Sequence, residues 1–381
     1  MCRIWLLLAL LLSGIVSRAK TPDNYNRALV MDYFQEQAYD KVIDYLKQVT
    51  GNRSSRYLLD LGYCYYMQGD NLNAIKAFSE ILRMDSVNHA AHLYLAQIYE
   101  RMRVKGEALD HYLVLTKLSP RQYRYWQSAA DLFSQQQEKD SALRYIAKSY
   151  ELNPASASVT LQYARILQAA KQPDKAMEIV DAFLGHDSTN ASIVSKKIEL
   201  CFKQEDYDAV IDWGAKLPAV YEEAPTAYVH LAYSYLNQKQ FEKSLALCDT
   251  LIKSNMSSES ILYCAAMSHS ALKNYVESNR LLDECLNLNL LKDAPLYFRA
   301  KATNYENLGQ YQQAAKNYDT SYYIFHNSYD LYLAGWLYEQ KLNNKAKASD
   351  YYKRYLRNTK MASTAADRKI EAYIKEYLAK P

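Results

Sequence analysis

The amino-acid sequence predicts an all-α protein, an α-solenoid of about ten helical hairpins. Two observations carry this prediction. Glycine and proline occur only 9 and 8 times in 381 residues, so the chain is poor in the residues that interrupt helices. Small residues also recur at a constant step of 34 positions, which is the signature of a repeat architecture.

Four columns of residues keep this step in phase. A first small position holds glycine or alanine, and a second small position follows it by 12 residues. Small side chains let two helices cross closely, and two large positions fill the space beside the crossing. The columns are Gly62, Ala96, Ala130 and Ala164; Ala74, Ala108, Ala142 and Ala176; Tyr65, Tyr99, Phe133 and Leu167; and Phe78, Tyr112, Ile146 and Val180.

Each unit is predicted as two amphipathic helices joined by a short polar turn. In the second hairpin, residues 58–67 and 72–84 form the helices, and Gly69 lies in the turn between them. Pro120 and Pro154, again 34 apart, lie where a second helix must end, because proline cannot continue a helix interior. Since one hairpin cannot bury its apolar face alone, stacking on its neighbours supplies the core.

The step continues beyond the four regular hairpins. A less regular hairpin precedes them over residues 23–54, and insertions of two residues and one residue shift the register near the carboxyl end. The stretch 363–380 is predicted as a single capping helix with a polar outer face. The later small pairs are Ile198 with Val210, Ala232 with Ser244, Ala266 with Ser278, Ala302 with Ala314, and Gly335 with Ala348.

The pattern of small, aromatic and proline positions resembles the tetratricopeptide repeat (TPR) family over residues 23–362. The resemblance implies a right-handed superhelix, a concave wall formed by the first helix of each hairpin, and a function in binding other proteins. TPR proteins that hold chaperone tails carry a clamp of lysine and asparagine on that wall. The matching positions here hold residues such as Leu59, Tyr63 and Gln97, so the resemblance does not extend to that activity.

One hairpin, residues 191–222, departs from the pattern. Ile198 and Val210 replace the small pair, Gly214 replaces an aromatic residue, and Pro218 shortens the second helix. Bulkier residues at the crossing hold two helices further apart. We therefore expect a changed angle between hairpins here, and a division of the array into two halves at residues 198–218.

The first 19 residues have the composition of a secretory signal peptide. Arg3 precedes an apolar run over residues 4–16, and residues 17–19 suit a cleavage site. The run is shorter than the roughly 20 apolar residues of a membrane span, and an uncleaved anchor is the alternative. No second apolar stretch of spanning length follows, so no transmembrane segment is expected after signal removal. The predicted location is the periplasm of a bacterium; in a eukaryotic host, three glycosylation sequons would matter instead, at Asn52, Asn190 and Asn255.

Charge and motifs disfavour several functions. Signal removal lowers the formal charge from +4 to +2, and basic and acidic residues are interspersed, so nucleic acid is not an expected partner. The sequence lacks phosphate-binding glycine loops and catalytic motifs, and we expect no cofactor and no metal. The spacing of His89, His92 and His111 superficially suggests a metal site, but we interpret these residues as exposed polar positions.

Five cysteines remain after signal removal. Cys248, Cys264 and Cys285 fall on three consecutive predicted helices, where an oxidising compartment would permit a disulfide. The odd number of cysteines, which includes Cys64 and Cys201, favours small buried core residues instead, and so does the lack of a Cys-x-x-Cys pair.

The candidate binding surface is the wall formed by the first helices. Helical spacing predicts that the residue directly after each small position faces inward. The residues four positions before it and four positions after it lie on the same face of the helix. Aromatic residues and methionine there make a plausible peptide-binding groove, because such residues supply most interface energy. The alternative is that several of them only join successive first helices. The candidates are Phe34, Tyr63, Tyr66, Met67, Gln97, Arg101, Asp131, Arg165, Tyr233, Tyr263, Met267, Tyr332 and Trp336.

These observations favour a non-catalytic scaffold or adaptor of the cell envelope whose partners are other proteins or extended peptides. A holdase-like accessory of outer-membrane or secretion assembly is the neighbouring hypothesis. A scaffold retains a few stoichiometric partners, whereas a holdase suppresses the aggregation of unrelated unfolded clients. An enzyme is the third hypothesis, and it would require a cleft with strongly perturbed ionisable groups that no local motif reveals.

Overall fold

The computed structural model describes residues 25–49, 54–217, 224–288, 294–359 and 364–379. These residues form 21 helices and no strand, so the predicted all-α class is confirmed. Consecutive helices pair into ten hairpins, and a single helix follows them. Residues 1–19, the predicted signal peptide, lie outside the described part of the chain. None of the described helices is both long enough and apolar enough to cross a membrane.

The helices of the first five hairpins are α1 (Arg27–Gln35) and α2 (Tyr39–Gln48), α3 (Ser55–Gln68) and α4 (Asn71–Met84), α5 (His89–Arg101) and α6 (Lys105–Leu118), α7 (Tyr123–Gln135) and α8 (Lys139–Leu152), and α9 (Ala157–Ala169) and α10 (Pro173–Leu184). The next five hairpins are α11 (Ala191–Lys203) and α12 (Tyr207–Gly214), α13 (Pro225–Asn237) and α14 (Phe241–Lys253), α15 (Glu259–Ala271) and α16 (Tyr275–Leu288), α17 (Ala294–Asn307) and α18 (Tyr311–Phe325), and α19 (Ser328–Gln340) and α20 (Lys345–Asn358). The single helix α21 spans Ala365–Ala379.

The turn inside each hairpin contains a residue in the left-handed conformation, and over seven hairpins this residue recurs every 34 positions. Its φ lies between 57° and 78°. Glycine adopts this conformation without strain, but six of the seven positions carry a side chain and bear its steric cost. The seven residues are Gly69, Arg103, Gln137, Lys171, Glu205, Lys239 and Lys273.

A second column, of serine and asparagine, begins many of the first helices. Each of these side chains accepts a hydrogen bond from a backbone N–H in the first turn, which satisfies a donor that the helix itself leaves unpaired. The capping residues are Asn26, Ser54, Asn88, Ser156, Asn190, Ser258 and Asn327.

The core lies where the two helices of a hairpin cross. The small residues of the predicted pairs are buried; Ala96, for example, is fully enclosed, as is its partner Ala108. Where serine replaces alanine, its hydroxyl finds a backbone partner, because the Ser244 Oγ donates to the Ala232 carbonyl at 3.0 Å. First helices lie close against their second helices in hairpins such as α3–α4 and α7–α8, and successive first helices such as α3 and α5 also contact each other.

The described residues divide into two compact units, an amino-terminal unit that ends at Ile179 and a carboxyl-terminal unit that begins at Val180. The boundary lies within α10, upstream of the irregular hairpin α11–α12, so the expected division at residues 198–218 is wrong in its position. Ile198 and Val210 are fully buried, which shows that the hairpin accommodates their bulk. Gly214 ends the short helix α12 where α13 approaches, since a Cβ there would lie 2.6 Å from the Cδ1 of Leu231. The changed angle remains a prediction.

Candidate protein-binding surfaces

The first helices of the amino-terminal unit carry a continuous row of aromatic rings. We call Phe34, Tyr63, Tyr94 and Tyr66 the amino-terminal aromatic row. Its ring centroids are separated by 5.6 Å, 5.8 Å and 5.4 Å in that order. All four side chains are half-buried, so each ring packs on its neighbour and keeps one part accessible to solvent.

A polar corner closes this row at the carboxyl ends of α3 and α5. The guanidinium of Arg101 lies 4.7 Å from the centroid of Tyr66 and also donates to the Asn71 side chain. The Tyr66 hydroxyl donates to Gln97 Oε1 at 3.3 Å. Met67 is next to this corner in sequence and is 44% exposed. The corner therefore combines the oriented guanidinium of Arg101, the side-chain amide of Gln97 and the exposed apolar side chain of Met67.

The two other candidates of the amino-terminal unit do not extend the aromatic row. The Asp131 carboxylate, on α7, accepts a hydrogen bond from Gln135 at 2.7 Å. Arg165, on α9, is exposed and makes no hydrogen bond or ion pair with the described residues. These two residues place one charge of each sign on successive first helices.

The carboxyl-terminal unit carries a second row, which we call the middle aromatic row. It consists of Phe202, Tyr233, Tyr263 and Tyr297, on the four successive first helices α11, α13, α15 and α17. The centroid separations are 6.3 Å, 6.3 Å and 5.4 Å. Phe202, Tyr233 and Tyr263 are half-buried, whereas Tyr297 is only 3% exposed. Met267, on α15, is half-buried as well.

The last two candidates lie on α19, where the structure gives them a packing role. Tyr332 contacts the rings of Tyr352, Tyr355 and Tyr373, and the last of these belongs to the closing helix α21. Trp336 is half-buried against the core of the hairpins α17–α18 and α19–α20. The Glu339 side chain accepts hydrogen bonds from Tyr352 at 2.6 Å and from Tyr373 at 2.7 Å. Tyr332 therefore helps to hold α21 in place.

Sequence models of the tetratricopeptide repeat match residues 27–89 and 59–123, and a second such model matches residues 123–156. These matches cover the first four hairpins. The tetratricopeptide repeat family is therefore supported for this part of the chain. Proteins with this repeat generally mediate protein–protein interactions and are generally non-catalytic scaffolds.

Several solved structures resemble the fold. A tetratricopeptide repeat protein from Parabacteroides merdae is 14% identical, covers 67% of this chain and 98% of its own, and has a TM-score of 0.46. The MamA protein is 16% identical, covers 45% of this chain and 92% of its own, and has a TM-score of 0.41. Yeast Tom70 is 13% identical, covers 92% of this chain and 94% of its own, and has a TM-score of 0.39. No curated protein matches the sequence significantly.

The hydroxyls of Tyr63 and Tyr94 in the amino-terminal aromatic row remain protonated at neutral pH and can donate hydrogen bonds. Burial, with the neighbouring Tyr39 and Tyr94, raises the pKa of Tyr63 to about 12. Burial also raises the pKa of Tyr94 above its ordinary value of 10.0. At neutral pH these rings therefore present an apolar face together with a neutral donor, which suits them to peptide recognition.

A charged group lies near the start of the middle aromatic row, on α11. Burial opposes ionisation of Glu199, but hydrogen bonds from Lys203 and Lys196 outweigh it and lower the pKa of Glu199 to about 2. The N–O distances are 2.5 Å to Lys203 and 2.9 Å to Lys196. Glu199 therefore stays ionised, and its carboxylate lies between two lysine side chains.

The sequence prediction missed several members of the two rows, namely Tyr94, Phe202 and Tyr297. Phe202 occupies the same repeat position as Tyr66, four residues after the first small position, so the 34-residue step could have identified it. Tyr94 and Tyr297 precede their small positions by two and five residues, and no single spacing selects both. Their rings join the rows because of how neighbouring hairpins pack.

His92 and the five described cysteines are buried, and His89 and His111 are half-buried, so none of these three histidines is an exposed position. His92 is only 6% exposed, so its interpretation as an exposed polar position is wrong. The spacing of residues in the sequence does not show that His111 lies within hydrogen-bond distance of His92, and this contact is what allows the polar ring of His92 to be buried. All five described cysteines are free and buried, and burial raises the pKa of the Cys64 and Cys285 thiols to about 12. Such thiols behave as small core residues.

Proposed function

We propose that this protein is a non-catalytic scaffold of the cell envelope that binds extended segments of partner proteins along the first helices of its hairpins. The observation that carries this proposal is the even spacing of three consecutive rings in the middle aromatic row. Its first three rings follow one another at 6.3 Å. In an extended chain, alternate side chains point to the same side about 6.6 Å apart. Alternate side chains of a bound segment can therefore meet successive rings.

Order within the rows supports the same function. Each ring is held by its neighbours, so little side-chain entropy is lost when a partner covers the exposed part. Tyrosine and tryptophan are enriched among the residues that dominate interface energies, and methionine adapts to varied partners. The polar corner at Arg101 adds a guanidinium that is already oriented by Tyr66 and Asn71. The guanidinium can donate hydrogen bonds to backbone carbonyls or polar side chains of a bound peptide, while the neighbouring rings contact the apolar side chains of the peptide.

The envelope location is part of the proposal and rests on residues 1–19 alone. Osmotic release of the protein from cells of the source organism, followed by sequencing of its amino terminus, tests this part. We expect release with the soluble envelope fraction and a mature chain that begins at Lys20. Retention in the cytoplasm with an intact amino terminus would contradict it.

The binding function is tested with the native protein and two matched tyrosine variants. Crosslinking and affinity purification from the native envelope first identify the partners. Tyr233→Ala removes a ring from the middle of the row, whereas Tyr323→Ala removes a ring that is 79% exposed on α18, outside the rows. We expect Tyr233→Ala to weaken binding of a purified partner by on the order of 30-fold, and Tyr323→Ala to leave it within about threefold.

Two outcomes decide against the proposal. If both variants bind the partner alike, the middle aromatic row is not the binding surface. If the protein retains no stoichiometric partner but suppresses the aggregation of unrelated unfolded proteins, it acts as a holdase instead. Thermal unfolding of each variant, followed by circular dichroism, shows whether a loss of binding reflects loss of the fold.

A further inference from the structure

The third hairpin contains a pair of histidines that face each other across its two helices. His92 lies on α5 and His111 on α6, and their Nδ1 atoms are 2.9 Å apart. The other ring nitrogen of His92, Nε2, lies 3.0 Å from the carbonyl oxygen of Ser86, in the connection before α5. The pair therefore joins three segments of chain: the connection, α5 and α6.

The hydrogen-bond partners assign the protons of the pair. A carbonyl oxygen only accepts, so the Nε2 of His92 carries a hydrogen and donates it to Ser86. In a neutral ring the Nδ1 of His92 is then an acceptor, and the Nδ1 of His111 must donate to it. Two facing nitrogens thus share a single proton, and the contact is satisfied only while at least one of the two rings is neutral.

The surroundings of the pair disfavour the state in which both rings are protonated. The ring of Tyr99 stacks on His111 at 5.7 Å with an interplanar angle of 12°. Burial, with His92 next to it, lowers the pKa of His111 to about 4, although Asp110 and Glu107 on α6 act in the opposite direction.

Two further titratable groups lie nearby. Burial also lowers the pKa of His89, whose Nε2 lies 3.1 Å from the Tyr125 hydroxyl of α7. In the described part of the chain, no third histidine, cysteine or carboxylate completes a metal-binding group with the pair. The ligand that the geometry suits is therefore a proton.

We propose that the His92–His111 pair is a proton-sensitive switch that holds the connection before α5 against α5 and α6 at neutral pH and releases it in acid. When both rings are protonated, two N–H groups face each other at 2.9 Å. Either the contact between the rings or the bond to Ser86 must then open. Because α5 also carries Gln97 and Arg101, opening would alter the polar corner.

The sign of the pH dependence follows from the lowered pKa of His111. An unfolded histidine takes up its proton near pH 6.5, whereas the folded ring does so only near pH 4. Below pH 6.5 the unfolded state therefore binds more protons than the folded state, and acid favours opening. The stabilisation is present above about pH 6.5 and is lost progressively as the pH falls toward about 4.

The test compares hydrogen exchange of the full chain at several pH values, corrected for intrinsic exchange rates. His111→Gln keeps a side-chain donor for His92 but cannot be protonated, and His186→Gln changes an exposed histidine outside this hairpin as the control. Between about pH 7 and about pH 4.5, we expect protection of residues 86–118 to fall by on the order of tenfold in the native chain and in His186→Gln. In His111→Gln it should change by less than about threefold.

Equal pH dependence in the native chain and in His111→Gln would overturn the proposal. If His111→Gln does not fold, the NMR titration of the His111 ring in the native chain decides instead, and a midpoint at or above pH 6.5 would overturn the proposal. Neither measurement involves a partner protein. The outcome is therefore independent of the proposed binding function.

Discussion

Two glycines that both lie inside helices should respond in opposite ways to the same substitution. Gly335, on α19, is buried at the crossing with α20, and a Cβ there would lie 2.7 Å and 2.8 Å from ring carbons of Tyr352. The ring cannot withdraw easily, because it is fully buried and its hydroxyl donates to Glu339 at 2.6 Å. Gly106, on α6, is exposed, and a Cβ there would meet nothing within 4 Å.

The magnitudes follow from two opposing effects. Overpacking a close-packed core costs about 1–3 kcal/mol, whereas replacing glycine by alanine in a helix stabilises by up to about 1 kcal/mol. Gly335→Ala should therefore lower the free energy of unfolding by about 1 kcal/mol, with an upper limit of about 2 kcal/mol. Gly106→Ala meets no opposing contact and should raise the free energy of unfolding by about 0.5 kcal/mol.

Urea denaturation followed by far-ultraviolet circular dichroism measures both variants against the native chain. Repeat arrays need not unfold in one step, so hydrogen exchange within α19 and α20 provides a local measurement for Gly335→Ala. An increase in stability for Gly335→Ala would refute the argument that the small position is required by the approach of Tyr352. Gly62→Ala is a second test of the same geometry, since its Cβ would lie 2.9 Å from the ring of Phe78.

Three further predictions concern turns, the closing helix and a buried charge. Lys239 has a left-handed backbone conformation with φ 57°, which glycine adopts without steric strain. Lys239→Gly should therefore stabilise the fold by about 0.5 kcal/mol and raise the midpoint of thermal unfolding, and an unchanged or lower midpoint would contradict this. Tyr373→Phe should weaken the attachment of α21 by about 1 kcal/mol, seen as faster hydrogen exchange confined to residues 365–379, because one bond to Glu339 is lost. The fully buried carboxylate of Asp330 lies 2.6 Å from the Nε of Arg299. Asp330→Asn removes the negative charge that pairs with Arg299, so it should lower the free energy of unfolding, measured in urea, by about 2 kcal/mol. A loss below about 0.5 kcal/mol would show that Arg299 is solvated well enough without Asp330.

Much of the fold could be predicted because its determinants repeat. A small residue at a helix crossing, a large residue beside it and a polar turn recur every 34 residues, and each acts on structure within one hairpin or on the next. The irregular hairpin α11–α12 could also be recognised from the sequence, because Gly214 lies where the repeat pattern has an aromatic residue. In the structure the side chain of Leu231 occupies the space beside Gly214. The position of the division into two units, within α10, left no signal that we recognised.

The candidate surfaces could be predicted only in part. Helical spacing correctly places Tyr63 and Tyr233 on the first helices, and the structure shows that such rings both contact their neighbours and remain partly exposed. Spacing did not reveal that Tyr332 joins the closing helix to the array, since its partner Tyr373 lies outside the repeat.

The sequence by itself determined the helical hairpins, because periodic apolar positions and turn residues act over one or two turns of helix. It also indicated which pairs of residues are small, because a close crossing such as that at Gly335 leaves no room for a larger side chain. Only the tertiary structure decided which rings meet and which histidines share a proton. His92 and His111 are 19 residues apart, and Tyr233 and Tyr263 belong to different hairpins. Such contacts depend on the rotation and separation of packed helices, to which the side chains of every neighbouring hairpin contribute.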